Sequence, residues 1–342
     1  MVEAAPAPVA APLPEPPPPT PVRRDAPLRY VVKKGDTLWD IAAHFLHEPW
    51  QWPEIWSVND QVRNPHLIYP GDVLTLIWRD GRPLVVADVQ RTDQLHPQVR
   101  EYPLAEAIPT IPLDAIRDFL RSPRLVDADT LKDAPYVLAF SHPFLMEGAG
   151  GNDIYAKKVP ATDRVAYQAV RIGDKYVDPE SGELLGWEAT PVAELDLQRQ
   201  DEISVLRITR SYRETRPGDR LLPPPLEQFD SNFYPHAPDS DPGAYIISVF
   251  DGVSQIGQYH VITLNKGADD GVEVGHVLRV VQAGRKARDP QTGKMETLPE
   301  LDAGTVMVFK VERRVSYALV MDAAREIHLL DRARKPEAGG LY

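Results

Sequence analysis

The sequence predicts an α+β protein: a small βααβ domain, then two related β-rich, small-barrel-like modules, with a disordered proline-rich segment in front. Three observations carry this expectation. Between residues 28 and 79 the apolar spacing changes from strand-like to helical and back. After Asp133 it is strand-like throughout, in runs such as "YVLAFS", "AYQAVRIG" and "ISVLRITRSY" separated by turn residues. From residue 136 the chain also repeats itself at offsets of 109 to 111 residues. These signals divide it into a disordered Pro/Ala-rich spacer (1–27), the βααβ domain (28–79) and a linker with a short helix (80–135). β module 1 (136–224), a proline-rich linker (225–244), β module 2 (245–336) and a tail (337–342) complete it.

The spacer holds ten of the 35 prolines and too little apolar area for a core, so it reads as a semi-rigid, polyproline-like segment. It lacks the basic region and apolar core of a signal peptide, and the expectation is that a signal or anchor precedes this numbering. "LRYVVKKGD" then forms a strand ending in the turn pair Gly35-Asp36. Leu38, Ile41, Ala42 and Phe45 lie at i, i+3, i+4 and i+7, one apolar stripe on a helix. Thr37 with Asp40 three residues on makes a capping box with Asp substituted, and Asp36 is the competing N-cap. A second helix starts near Trp52, where Pro53 suits a first helical turn. "NPHLIYPGD" is a loop and turn, and "VLTLIW" closes the domain as a strand.

Five of the six tryptophans (Trp39, Trp50, Trp52, Trp56 and Trp78) fall in this domain. A fold this small has few other groups with which to bury area, so Trp39 and Trp56 are expected in the core. Trp50 and Trp52, in "HEPWQW", are open between core and a surface aromatic platform.

"YVVKKGDTLWDIAAHF" followed by "IWSVNDQVRNPHLIYPGDVLTL" resembles a LysM domain: V-x-x-G-D-T-L-x-x-I-A, then N, then I-x-P-G-x-x-L. The stretch between the helices is longer and more aromatic than that pattern. The resemblance implies binding of glycans containing N-acetylglucosamine, which in a bacterium means peptidoglycan. Two facing loops would form the groove, their backbone N–H and C=O groups meeting the N-acetyl groups. Carried over by position, the contacts are Gly35, Asp36, Thr37 and Leu38 on one lip and Leu67, Ile68, Tyr69 and Pro70 on the other. Thr37 and Ile68 are the preferred side-chain contacts, while Gly35 and Gly71 are expected to supply turn geometry.

The internal repeat aligns 165–186 with 276–296 through Asp178-Pro179-x-x-Gly182 and Asp289-Pro290-x-x-Gly293, and 136–148 with 245–257. Residues 203–222 align more loosely with 306–320. The D-P-x-x-G segments lack the alternating acidic ligands of an EF-hand and read as turns between strands, as do Asp269 and Asp270. A LysM domain followed by a long β-rich region is similar to the secretin-associated TsaP family of the type IV pilus. Its C-terminal region is in turn similar to the C-terminal domain of the flagellar protein FlgT. The resemblance implies a periplasmic, cell-wall-associated adaptor whose protein partner is an outer-membrane secretin.

A net charge of -12 argues against nucleic acid as a partner. No run of apolar residues is long enough for a transmembrane segment. The absence of cysteine removes disulfides and thiol nucleophiles. The nine histidines contain no H-x-H or H-E-x-x-H, and neither a G-x-S-x-G nor a Walker loop occurs, so no metal, cofactor or catalytic residue is expected. Acidic pairs suited to a glycosidase are too numerous to exclude by counting. The C-terminal half is strand-rich where wall-cutting glycosidases are helix-rich, which favours a non-enzymatic adaptor. The alternatives are a muralytic enzyme or its regulator, and a general wall-binding envelope protein with no machine partner.

Overall fold

A computed structural model describes residues 22–56, 68–79, 81–88, 108–120, 124–142, 150–224, 233–250, 256–284 and 286–337. The spacer expected at 1–27 lies mostly outside them, as do Leu67, the first part of the 225–244 linker and most of the tail. No helix among the described residues is long and apolar enough to cross a membrane.

The N-terminal domain runs β1 (Arg29–Val31), α1 (Leu38–Phe45), a 3-10 turn (Pro49–Gln51), α2 (Trp52–Trp56) and β2 (Val73–Arg79). The expected stripe of α1 is its buried face: Leu38, Ile41, Ala42 and Phe45 pack with Trp52, Ile55, Trp56, Ile68 and Leu74. β3 (Arg82–Asp88) pairs antiparallel with β2 along its whole length, so the sheet has three strands, β1-β2-β3. The hairpin continues the domain into the segment expected as linker, because Val85 and Ala87 alternate into its core.

The rest of that segment also carries structure: α3 (Leu113–Leu120), β4 (Arg124–Val126) and α4 (Ala128–Asp133). Next come β5 (Tyr136–Phe140), β6 (Asp153–Lys157), β7 (Ala166–Val177), β8 (Leu184–Arg199), β9 (Ile203–Ser211) and β10 (Arg220–Leu222). Their sheet order is β4-β8-β7-β10-β5-β6-β9, and β9 also pairs with β8, so six strands run in a circle with β4 outside it. The second unit comprises β11 (Ala244–Val249), β12 (Val261–Leu264), β13 (Val277–Gln282), β16 (Leu301–Val311), β17 (Ser316–Ala323) and β18 (Arg332–Arg334), with the small hairpin β14 (Lys286–Arg288) and β15 (Met295–Thr297) projecting from it. It is a closed six-stranded barrel, β11-β12-β17-β16-β13-β18.

The two circular orders coincide strand for strand. β9 and β10 hold the places of β17 and β18, so residues 203–222 correspond to a stretch further along than 306–320. The third alignment drawn from the sequence is therefore displaced, because it matched apolar alternation in β16 to that of β9 without the pairing that fixes register. Both D-P-x-x-G segments form the same turn. Gly182 N–H donates to Asp178 O and Gly293 N–H to Asp289 O, each at 2.9 Å, and each aspartate side chain accepts backbone N–H groups from its own loop. Asp269 and Asp270 lie in a 3-10 turn, where Asp270 accepts the Gly267 N–H.

The first of these turns is also a joint between barrels. Asn265, buried in the second barrel, donates to Asp178 at 2.9 Å, and Tyr245 donates to Glu180 at 2.7 Å. The described end of the 225–244 linker is packed, with Phe233 buried and Lys335 bonded to the Asp239 carbonyl. The N-terminal domain docks on the second barrel. Trp39 and half-buried Trp50 join a cluster with Ile111, Phe119, Phe309 and Tyr317, and Glu48 pairs with Arg279 at 2.7 Å.

Candidate glycan-binding groove

Two turns of one design meet at the end of the N-terminal sheet. In "KKGD" the Asp36 N–H donates to Lys33 O, and the Asp36 carboxylate accepts the Lys33 N–H at 2.8 Å. In "YPGD" the Asp72 N–H donates to Tyr69 O, and the Asp72 carboxylate accepts the Tyr69 N–H at 2.9 Å. Each needs a left-handed third residue, and Gly35 (φ 96°) and Gly71 (φ 101°) supply it without a Cβ in the way. Backbone bonds tie the turns together: Gly71 N–H to Val32 O at 2.8 Å and Val32 N–H to Asp72 O at 2.9 Å. The specific sequence of each turn thus builds one of two adjacent lips.

Asp36 further accepts the Tyr30 hydroxyl at 2.9 Å, and burial, reinforced by that carboxylate, pushes the Tyr30 phenol up to about 12. Tyr30 stacks on His44 with ring centroids 4.7 Å apart, which gives that histidine a packing role. Of the two candidate N-caps the structure selects Thr37: its hydroxyl accepts the Asp40 N–H at 3.1 Å, and Asp40 accepts the Thr37 N–H in return. Asp36 lies too early because its carboxylate is already closing its own turn.

The two lips expose few side chains. Gly35 and Pro70 are exposed and Asp36 and Tyr69 are half-buried, whereas Thr37 (3%), Leu38 (4%) and Ile68 (0%) face inward. Thr37 and Ile68 therefore offer the groove backbone atoms, their side chains being taken up by the cap and the core. Trp52 is buried at 4% exposure and supplies no surface platform. Trp50 is half-buried against the barrel-side cluster and bonds Glu48 through its indole N–H.

The groove contains a segment that the sequence reading passed over. Residues 108–111, "IPTI", run between the lips. Ile108 N–H donates to Ile68 O at 2.9 Å; Leu38 N–H donates to Pro109 O at 3.0 Å and Trp39 N–H to Thr110 O at 3.2 Å. Leu38 and Trp39 open α1, and their N–H groups have no acceptor within the helix. Ile108 joins the core of the N-terminal domain, and Thr110 donates its hydroxyl to Phe233 O. The available signal was the pair of isoleucines each followed by proline, which forces an extended backbone.

Among the described residues, His236, Glu273 and His276 place ligand atoms within 4.8 Å of one another. They fit a hydrogen-bonded pair better than a metal. The His276 Nδ1 accepts the Glu273 N–H at 3.1 Å, which leaves the hydrogen of the neutral ring on Nε2. Burial, with His236 alongside, pushes the His276 pKa down.

Residues 30–76 match the LysM domain family. A protein of Bacillus subtilis (strain 168), the uncharacterized protein YqbP, is 41% identical over 63 residues, covering 16% of this chain. The chain spans 29% of that relative's length. A LysM domain implies binding of peptidoglycan or a related glycan.

Proposed function

We propose that this protein is a non-enzymatic adaptor that grips peptidoglycan through its LysM domain and presents its β modules to another envelope component. The observation that carries the reading is the LysM domain itself, with its paired Gly-Asp turns and the backbone donors and acceptor between them. An acetamido group has one N–H and one C=O; the Ile68 carbonyl and the Leu38 and Trp39 N–H groups complement both. The carboxylates beside the groove, Asp36 and Asp40, are engaged in turn and cap hydrogen bonds, which favours binding over bond cleavage.

The shared strand order of the two β units supports a duplicated module, and duplication suits a scaffold that repeats a contact. The type IV pilus secretin is the partner that the sequence resemblance suggests, and a periplasmic location follows from both ligands. Co-sedimentation of the whole protein with purified sacculi tests the first half. Retention that is lost once the glycan strands are digested is the expected result, and recovery in the supernatant throughout overturns it. Soluble muropeptides released by the protein alone would replace the adaptor with a muralytic enzyme. Affinity capture from detergent-solubilised envelopes tests the second half, with enrichment of a secretin expected. If only peptidoglycan comes down, the machine partner falls and a general wall-binding protein remains.

A further inference from the structure

We propose that residues 108–111 are an internal plug, carried by the second barrel, that occupies the glycan groove, so that glycan binding and docking of the LysM domain exclude each other. The inference rests on the wall-binding reading above and adds its regulation. The plug satisfies the groove as an acetamido group would. One N–H, from Ile108, meets the Ile68 carbonyl, and two carbonyls, from Pro109 and Thr110, meet the opening N–H groups of α1. A sugar using these atoms must displace the plug first.

The plug belongs to the barrel side. Ile111 is fully buried there, and α3 follows directly, with Ile116 buried at 0% exposure and Phe119 at 2%. Phe119 makes edge contacts with Phe250 at 5.5 Å and Phe309 at 5.2 Å. Thr110 is tied to Phe233 O. The LysM domain holds the plug through three backbone hydrogen bonds and the Ile108 side chain. Its contacts with the barrel side include Trp39, Trp50, the Glu48–Arg279 pair, Asp40 with Tyr259, and Trp52 against Tyr234 at 6.3 Å. The group that moves is therefore the LysM domain as a unit.

Trp39 fits the same scheme. It opens α1 beside the groove, yet it clusters with barrel-side residues and not with its own domain's core. Undocking uncovers an indole at the groove edge, where an aromatic face covers a sugar ring well. By linkage, a glycan that draws the domain off also frees the barrel face beneath it for a partner.

The test uses the full chain and a hexamer of N-acetylglucosamine, with affinity measured by calorimetry. Glu48→Arg and Arg279→Glu each break the docking ion pair at half-exposed positions outside the groove. Each is expected to tighten sugar binding roughly tenfold. Arg279 also pairs with Asp302 at 3.3 Å, so the control is Asp302→Asn, which leaves the Glu48–Arg279 pair in place and should bind sugar as the parent does. In the unmodified protein, saturating sugar should speed hydrogen exchange at the Ile108 amide, which loses its acceptor. Equal affinity in all four forms, with Ile108 equally protected with and without sugar, overturns the plug and leaves wall binding intact. If no form binds the hexamer or sacculi, the wall-binding reading falls and the plug with it.

Discussion

Replacing Asn265 by aspartate changes one group at the joint between the two barrels. Asn265 is 2% exposed; its Nδ2 donates to Asp178 Oδ2 at 2.9 Å, and its Oδ1 accepts the Tyr245 N–H at 2.6 Å. Aspartate keeps the acceptor and turns the donor into a second carboxylate facing the first. Asp178 is held below the ordinary carboxylate range chiefly by the Ser181 N–H, and then by the Glu180 N–H and the Asn265 amide, against the cost of burial. Losing a hydrogen bond to a charged group costs about 1.5–3 kcal/mol. At pH 7 the new carboxylate must also stay ionised beside Asp178 or take up a proton, each unit of upward shift costing about 1.4 kcal/mol. The expected loss at pH 7 is therefore about 3 kcal/mol or more. A shared proton raises one folded-state pKa above its unfolded value near 3.9. The penalty is then absent below the unfolded value and grows as pH rises through the folded one, so variant and parent should converge between pH 7 and 4.5. Urea unfolding followed by circular dichroism at several pH values measures both the loss and its slope. Equal midpoints at pH 7 would refute the buried joint and show this face of Asn265 open to solvent.

Phe119→Ala removes the aromatic that fixes α3 to the barrel and should cost about 3–5 kcal/mol, read from the denaturation midpoint of the C-terminal unit. Thr37→Ala deletes the N-cap of α1 and should lower stability by about 1 kcal/mol while the LysM domain still melts cooperatively. The His276 pKa lies below its unfolded value of 6.5, so the stability contributed by the neutral ring is complete above that pH and lost as pH falls through the lowered value. His276→Asn keeps an acceptor for the Glu273 N–H and removes the titration, so its unfolding midpoint should vary less with pH between 7.5 and 5.5.

The parts legible in the sequence were those where chemistry is local. Gly-Asp turns, a threonine cap and a 3.6-residue apolar stripe each act within a few residues, so the LysM domain and its two turns are legible in the sequence alone. The D-P-x-x-G turns were readable for the same reason, and they disclosed the internal repeat. Long-range pairing was not readable. Only strand register shows that β3 belongs to the first sheet, that β9 stands where β17 does, and that both β units close in one circular order. Burial also needed the fold: Thr37, Ile68 and Trp52 carry groups suited to contact, yet the packing of α1, α2 and β2 turns them inward. Above all, no periodicity tells which distant segment crosses a groove. Residues 108–111 hold that place because the fold brings three unsatisfied backbone groups to them, a match made in space between positions far apart along the chain.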